Sequence, residues 1–585
     1  MLNPSLPLKI LAVHSALIVL AGIIPLSVSA TEPLQIVATG GRIGVYPYGS
    51  SDPNLTAFWH RTPHKLGGPV SEIQIGFMNW MLNYSKEQNN SNEVTIDHAW
   101  IERELDGQII PITFDGSRTF IMPDDSVEPY WLADSVDSAD WTNGPPEKDE
   151  VLWIHVKGNY PSLGRTIQGC PTGYPGSKFI VYDPANDTGA VDIAGSVHSI
   201  EGQNARTRGL PLLIVGRYSE PGHLAVIGIG DSILDGSGDA SSKYSNIPGF
   251  GFFNRAAVDE NGENTISMFN LTRHGATAAG WANHVRQPHF LQFANTVVEE
   301  YGTNDLGQNG TGSPSQIIER LEYIWELCRE AGVQYILRTE LLPRTSSSDA
   351  WSTAENQTPN PGWGPSGARD EINSAFYQAV TNSSIHSVVE TLAPVSSPSD
   401  SHLWSTNGQS KYVTGDGTHL NSNGNTILAE TLRASLLAID LGSPPSTYAS
   451  WQDSIDWAGQ DSRPTADPNH DGINNALAYA LDLSPMGSSE PGHRPYLLYL
   501  PESDGGPCIQ FVFRKNSHAK DVTYEYLRSY TLMNDWEPVT VNGQNVIETT
   551  IDPDPDGDST ASLIAVRIFS FDTETPQFLK LRVNL

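Results

Sequence analysis

The alternation of apolar and polar positions divides the chain into differently patterned stretches. From Thr31 to about Glu220, short extended runs such as Ile73–Phe77, Val94–Ile101, Val151–Val156, Phe179–Tyr182 and Leu212–Val215 are broken by Gly, Pro, Asn and Asp. Long helical periodicity is missing there, so this stretch predicts an all-β sandwich or similar module. The pattern changes after Pro221-Gly222. Leu224–Ile229 is a continuous apolar run, as expected of a parallel strand buried on both faces. A second extended run, Thr296–Tyr301, leads into Gly302-Thr303-Asn304-Asp305. A helix follows, with Ser313 as N-cap, Pro314 at the first helical position and Gln316 beyond it. Ile317, Leu321, Ile324 and Cys328 share one of its faces, and Gly332 stops it. Val333–Leu337 resumes a strand, and a last helix, about Thr426–Ile439, carries Ile427, Leu428, Leu432, Leu436 and Leu437. Such strand–helix alternation predicts an α/β domain with a covered parallel sheet, over about 221–442.

Ser443-Pro444-Pro445-Ser446 reads as a linker, opening a segment (443–488) that holds an acidic loop and a short apolar helix. Over 489–585 the runs Tyr496–Leu500, Cys508–Phe513, Leu563–Phe569 and Phe578–Val583 return to strands and turns, predicting a small C-terminal β-sandwich. At the other end, Lys9, the mostly apolar Leu11–Leu26 and the small-residue site Val28-Ser29-Ala30 mark 1–30 as an expected secretory signal peptide. The expectation is therefore a secreted protein, extracellular or periplasmic, with no stable membrane span after signal removal. Composition narrows the partners. Lys and Arg number 34 against 67 Asp and Glu, a formal charge of −33, which repels polyphosphate and argues against nucleic acid. Cys170, Cys328 and Cys508 are odd in number and far apart, so neither a disulfide framework nor a metal cluster is expected. Cys328 reads as a buried thiol.

Chemistry concentrates in the middle stretch. Leu224–Ile229 runs into Gly230-Asp231-Ser232-Ile233, and residues at the carboxyl ends of such strands form the sites of open α/β sheets. A serine needs a base to take its proton. Gly415-Asp416-Gly417-Thr418-His419 supplies one: Asp and His three apart on one loop can hydrogen-bond, the carboxylate fixing the imidazole tautomer. Donors for an oxyanion are available from the Asn304 amide and the backbone N–H groups of Ser232 and Gly275, the latter in Arg273-His274-Gly275-Ala276-Thr277. Removing one such donor typically costs roughly 2.7–4 kcal/mol of transition-state stabilisation. Gly280 is an alternative to Gly275. Asp231 and Asp305 read as structural hydrogen-bonders. His274, close to the expected oxyanion hole, is not needed as a second catalytic base, with substrate contact as the alternative to a purely structural role.

Together, Gly230-Asp231-Ser232-Ile233, Gly275-Ala276-Thr277, Gly302-Thr303-Asn304-Asp305 and Asp416-Gly417-Thr418-His419 resemble, in content and order, the four blocks of the SGNH (GDSL-like) hydrolase superfamily. Ile233 replaces the usual Leu. The resemblance covers about 221–442 and implies a three-layer, flavodoxin-like α/β domain between the N-terminal (31–220) and C-terminal (489–585) β-sandwich modules. It implies a serine esterase with Ser232 as nucleophile, His419 as base and Asp416 orienting it, using no cofactor for catalysis. With flanking β modules on an exported chain, the expected substrate is an acylated carbohydrate, losing O-acetyl groups from a polysaccharide. A short-chain lipid or aryl esterase is the enzymatic alternative, and a non-catalytic glycan-binding surface protein the other.

Two further features carry expectations. Asp467-Pro468-Asn469-His470-Asp471-Gly472-Ile473-Asn474-Asn475 resembles a calcium loop, with Asp467, Asn469, Asp471 and Asn475 as candidate ligands of a structural calcium. Ala478 stands where a bidentate Glu normally completes such a loop, so the loop is degenerate; Asp552-Pro553-Asp554-Pro555-Asp556-Gly557-Asp558 reads as a solvated hairpin loop. Trp59, Trp80, Trp100, Trp131, Trp141 and Trp153 are candidates for stacking on sugar rings, against the simpler expectation of core packing. Pro63 between His60 and His64 argues against a helical ligand pair.

Overall fold

The computed structural model describes residues 33–585 except 172–173, 207, 240–249, 442–447, 456, 458–459, 471, 487–494, 501–507, 517–518, 520–521, 530–536, 539–545, 553–560, 570–577 and 585. The proposed leader, the Ser443–Ser446 linker, Asp471 and most of the 552–558 loop lie outside the described residues.

Five parallel strands form the frame of the middle stretch: β1 (Ala225–Ile229), β2 (Ser267–Asn270), β3 (Thr296–Glu299), β4 (Tyr335–Thr339) and β5 (Ser387–Val389). All five residues of β1 are buried, the result of lying between two helical layers. The spatial order is β2-β1-β3-β4-β5, the doubly wound order of flavodoxin-like sheets, whose direction of winding reverses between β1 and β3. Helix α1 (Pro314–Glu330) buries Ile317, Leu321, Ile324, Trp325 and Cys328, and α2 (Ala368–Thr381) joins the same core through Ile372 and Phe376. Helix α3 (Ser422–Leu437) buries Leu428, Leu432 and Leu436 in a separate cluster with Val226, Phe253 and Val298. Opposite faces of the sheet are thus covered by two apolar clusters, each buried Leu or Ile contributing about 1.5–3 kcal/mol. Ser313 begins α1 without a side-chain capping bond; its hydroxyl pairs with that of Ser315.

The sheet does not stop at β2. Gly41–Arg42 pairs parallel with β2 on one side and antiparallel with Leu212–Tyr218 on the other. Val70–Phe77 continues from Leu212–Tyr218, giving an eleven-stranded sheet in all. The inner faces of these antiparallel strands share a core with a seven-stranded sheet that includes Ala57–Lys65, Val94–Arg103 and Val151–Asn159. The boundary expected near residue 220 therefore falls inside one compact unit, Glu32–Ser446. The physical reason is edge pairing: the exposed edge of β2 is satisfied by N-terminal strands rather than left open.

Residues 447–585 belong to a second unit. In it, Tyr496–Leu500, Cys508–Asn516, Ala561–Phe569 and Val546–Asp552 form a four-stranded sheet, and Glu537–Pro538, Thr523–Ser529 and Phe578–Asn584 a three-stranded one. Phe513, Ile564 and Val566 from the first meet Tyr526 from the second, with Ala478 and Leu481 of the short helical stretch beneath. Among the described residues no helix is long and apolar enough to cross a membrane. Cys170, Cys328 and Cys508 are free and buried.

Candidate active site

Ser232 follows β1 by three residues, and Asn304 follows β3, so both stand at the crevice where the winding reverses. His419 arrives on the loop before α3. That loop is folded by its own polar groups: Asp416 Oδ1 accepts the N–H groups of Thr418 (2.9 Å) and His419 (2.8 Å), and the Thr414 hydroxyl donates to the His419 carbonyl at 2.7 Å. Gly417, at φ +78°, permits the tight turn; a Cβ there would lie 2.0 Å from the Thr345 carbonyl oxygen.

The result is a relay. His419 Nε2 lies 2.9 Å from Ser232 Oγ, and His419 Nδ1 lies 2.7 Å from Asp416 Oδ2. Nδ1 therefore carries the proton donated to Asp416, leaving Nε2 to accept from the serine. Partial burial pushes the Asp416 carboxyl up, but the His419 side chain and the two backbone N–H groups outweigh it and hold the group down to about 2. It stays anionic and acts as an acceptor. Ser232 is only 6% exposed, while His419 and Asp416 side chains keep 27% and 56% of their surface, so the relay opens to solvent on the imidazole side.

The candidate oxyanion donors gather beside it. Gly275 sits at φ +73°, and neither its N–H nor that of Ser232 has a hydrogen-bond partner among the described residues. Gly280 N–H, the alternative, is taken by the carbonyl and hydroxyl of Thr277. Asn304 reaches the same place, yet both its amide hydrogens are engaged at 3.0 Å, one by Asp231 Oδ2 and one by the Ala276 carbonyl. Donation to an oxyanion requires one of those bonds to open or be shared. Asp305 accepts the N–H groups of Ala278 and Ala279, fixing the Gly275 loop against the Asn304 turn, and Asp231 accepts from Ile233 N–H. Both aspartates have the structural roles expected of them.

Several participants escaped the sequence reading. Glu300 lies beneath the nucleophile loop, accepting the N–H groups of Asp231 (2.9 Å) and Leu234 (3.4 Å). Burial, and then the neighbouring Asp231 charge, push the Glu300 carboxyl well above its ordinary range. Its signal in the sequence is Glu299-Glu300, two acids closing an apolar strand. Arg344, from the segment after β4, is near enough to Asp231 and Asp416 to feel both charges, and its Nε is buried without a hydrogen-bond partner among the described residues. The N-terminal part of the unit also contributes: Ser85, in the turn joining Trp80–Asn83 to Lys86–Asn89, accepts the Thr277 N–H at 3.0 Å.

The other candidate residues are placed elsewhere. Asn475 is fully buried and donates at 3.0 Å to the carbonyls of Asp461 and Arg463, which orients its amide nitrogen toward those loops. Asp467 Oδ2 accepts the Gly472 N–H. Asn475 Oδ1 is buried without a hydrogen-bond partner among the described residues, Asp471 lies outside the described residues, and Asp467 and Asn469 carry the other oxygens of the expected set. No group of three or more His, Cys, Asp or Glu suited to a metal occurs among the described residues. Trp59, Trp80, Trp100, Trp141 and Trp153 are buried and Trp131 is partly so, so packing accounts for them. His60 and His64 lie on a strand.

Neither a protein-family model nor a curated protein matches the sequence. Solved structures do. A GDSL-like lipase of Bacteroides thetaiotaomicron is 14% identical and covers 36% of this chain and 87% of its own, with a TM-score of 0.25. The psychrotrophic esterase EstA of a Pseudoalteromonas species is 16% identical over 36% of this chain and 96% of its own, TM-score 0.27. The central part of this chain resembles GDSL-like lipases and acylhydrolases. A Bacillus subtilis protein matches more of the chain, 64% of it and 81% of its own length, at 12% identity and a TM-score of 0.26. At such scores none of these likenesses bears on the chemistry, which rests on the geometry above.

Proposed function

We propose that this SGNH-like protein is a serine carboxylester hydrolase that works through an acyl-enzyme and removes O-acetyl groups from a polysaccharide. One observation carries the hydrolase reading: Ser232, His419 and Asp416 form a continuous hydrogen-bonded relay of 2.9 and 2.7 Å, beside the unpartnered N–H groups of Ser232 and Gly275. As Ser232 Oγ bonds to the ester carbonyl carbon, its proton passes to His419 Nε2, and Asp416 stabilises the imidazolium. The two N–H groups, with Asn304, receive the oxyanion. Collapse breaks the bond to the alcohol, which leaves with the proton from Nε2. Water then attacks the acyl-enzyme, giving its proton to His419, and the carboxylic acid departs as Ser232 regains its own.

The polysaccharide preference is supported by the N-terminal strands built into the same unit as the relay, and by the aromatic rings described below. Export follows from the expected leader. A structural calcium held by Asp467, Asn469, Asp471 and Asn475 is the remaining proposal for the C-terminal unit, and calorimetry with added calcium tests it. The substrate test is acetate release from a panel of acetylated polysaccharides. Release from a glycan, lost in Ser232→Ala, supports the reading; hydrolysis of short-chain lipid esters with none from any glycan overturns the substrate class.

A further inference from the structure

The strongest unassigned cluster lies one turn beyond the nucleophile. Asp235, whose N–H bonds to the Asp231 carbonyl at 3.0 Å, is buried and pairs with Arg42. Arg208, Arg42 and His274 all act on this one carboxylate, and Arg273 feels it too. Three guanidinium groups and an imidazole thus crowd one anion.

The cations are not all satisfied. Among the described residues, buried Arg208 Nη1 has no hydrogen-bond partner. Burial, reinforced by the like charge of Arg42, pushes this guanidinium down to about 10. It remains charged at neutral pH, but in surroundings that disfavour the charge. Such a group gains more than an exposed arginine from an arriving anion, since its own solvation is already lost. The concentration is also out of keeping with a chain of net charge −33.

The cluster has an open side and adjoins the reacting centre. His274 immediately precedes Gly275, and its side chain is 29% exposed. The Tyr84 ring meets the His274 ring edge-on at 5.5 Å, and Tyr46 lies 5.7 Å from it. Both tyrosines are exposed. The Arg273 guanidinium lies 4.5 Å from the Tyr46 ring centre and 5.4 Å from that of Tyr84. Flat rings beside planar cations suit a sugar carrying an anionic group.

Taking the ester-hydrolase reading of the relay as given, we propose that Arg208, Arg273 and His274, framed by Tyr46 and Tyr84, form a subsite for an anionic group of the substrate. The group is a carboxylate or sulfate on an acidic glycan, bound beside the sugar that loses its acyl group. At long range the chain's negative charge opposes such a substrate, but charges beyond about 8 Å are largely screened at physiological salt. The local cations then decide.

The test compares kcat/KM on three acetylated oligosaccharides: a polyuronate, a sulfated glycan and a neutral xylan. The wild-type protein should prefer one acidic substrate at least about tenfold, mainly through KM, and Arg208→Gln should lower that preference ratio about tenfold. Preference for the polyuronate assigns a carboxylate, and for the sulfated glycan a sulfate. No acidic preference, or one unchanged in Arg208→Gln, overturns the proposal. Calorimetric binding of the same oligosaccharides without acetyl groups to Ser232→Ala gives a readout independent of hydrolysis. Salt-sensitive binding of an acidic oligosaccharide with no turnover of any ester would sink the hydrolase reading alone; turnover without such binding would sink the subsite alone. Should Arg208→Gln fail to fold, the wild-type preference and its loss with rising salt decide between the same outcomes.

Discussion

The ring of Tyr84 fills the space that a side chain on Gly275 would need: a Cβ built there lies 2.5 Å from Tyr84 Cδ1. Tyr84 belongs to an N-terminal hairpin and Gly275 to the loop after β2, so the N-terminal strands fix the position of a candidate oxyanion donor. Tyr84 is itself held at φ +53°, a left-handed conformation that an aromatic residue adopts only under constraint.

Gly275→Ala should therefore lower kcat by one to two orders of magnitude with little change in KM. The φ of +73° costs alanine roughly 1 kcal/mol, and the clash with Tyr84 displaces the N–H further. Adding Tyr84→Ala relieves the clash but not the backbone strain, so the double variant should recover part of the loss. Steady-state kinetics on p-nitrophenyl acetate checks this; strictly additive losses would show that the contact is irrelevant to catalysis.

The Asp231–Glu300 pair predicts a stability slope. Both carboxyls are raised above their ordinary values, chiefly by burial, so the folded state retains a proton that the unfolded chain releases. The stability this contributes is complete below the unfolded values of 3.8 and 4.5 and declines as pH rises, by about 1.4 kcal/mol per pH unit per retained proton. Glu300→Gln needs no titratable proton. Thermal melts from pH 4 to 8 should show the variant gaining on the wild type as pH increases, and parallel curves would remove the shared proton.

Asp416 behaves in the opposite sense. Its carboxyl is depressed to about 2, so its contribution to stability is present above the unfolded value of 3.8 and is lost as pH falls toward 2. Asp416→Asn should flatten that acid slope. It should also reduce kcat by about 10²–10⁴, because an amide no longer fixes the tautomer that leaves Nε2 free. Activity within a few-fold of wild type would remove Asp416 from the relay.

Asn304→Ala should reduce kcat by about 10²–10³ if the amide shares a hydrogen with the oxyanion. An effect confined to thermal stability would assign it solely to bracing Asp231 and Ala276.

What could be read from the sequence was local. Ser232 after an apolar strand, and Asp416 three residues before His419, are short-range patterns whose geometry follows from a strand end and a tight loop. The pairing of Gly41–Arg42 with β2 could not be read, because it joins residues more than 220 positions apart through backbone hydrogen bonds that any side chains permit. Tyr84 against Gly275 and Arg208 near Asp235 meet instead through side chains, and no local pattern announces either contact. Glu300 was hidden differently: an acid at a strand end reads as exposed unless its buried partner, Asp231, is known. The tryptophans pack in the core, the simpler of the two expectations; composition alone cannot separate a buried ring from an exposed one, and the exposed rings beside the site are tyrosines.

The most direct measurement is covalent: label the protein with a p-nitrophenyl phosphonate ester and locate the adduct by peptide mass spectrometry. The account predicts one phosphonyl group per chain on Ser232, loss of esterase activity in step with labelling, and neither labelling nor activity in Ser232→Ala. An adduct on another residue, or a Ser232→Ala protein that still hydrolyses p-nitrophenyl acetate at the wild-type rate, would contradict it.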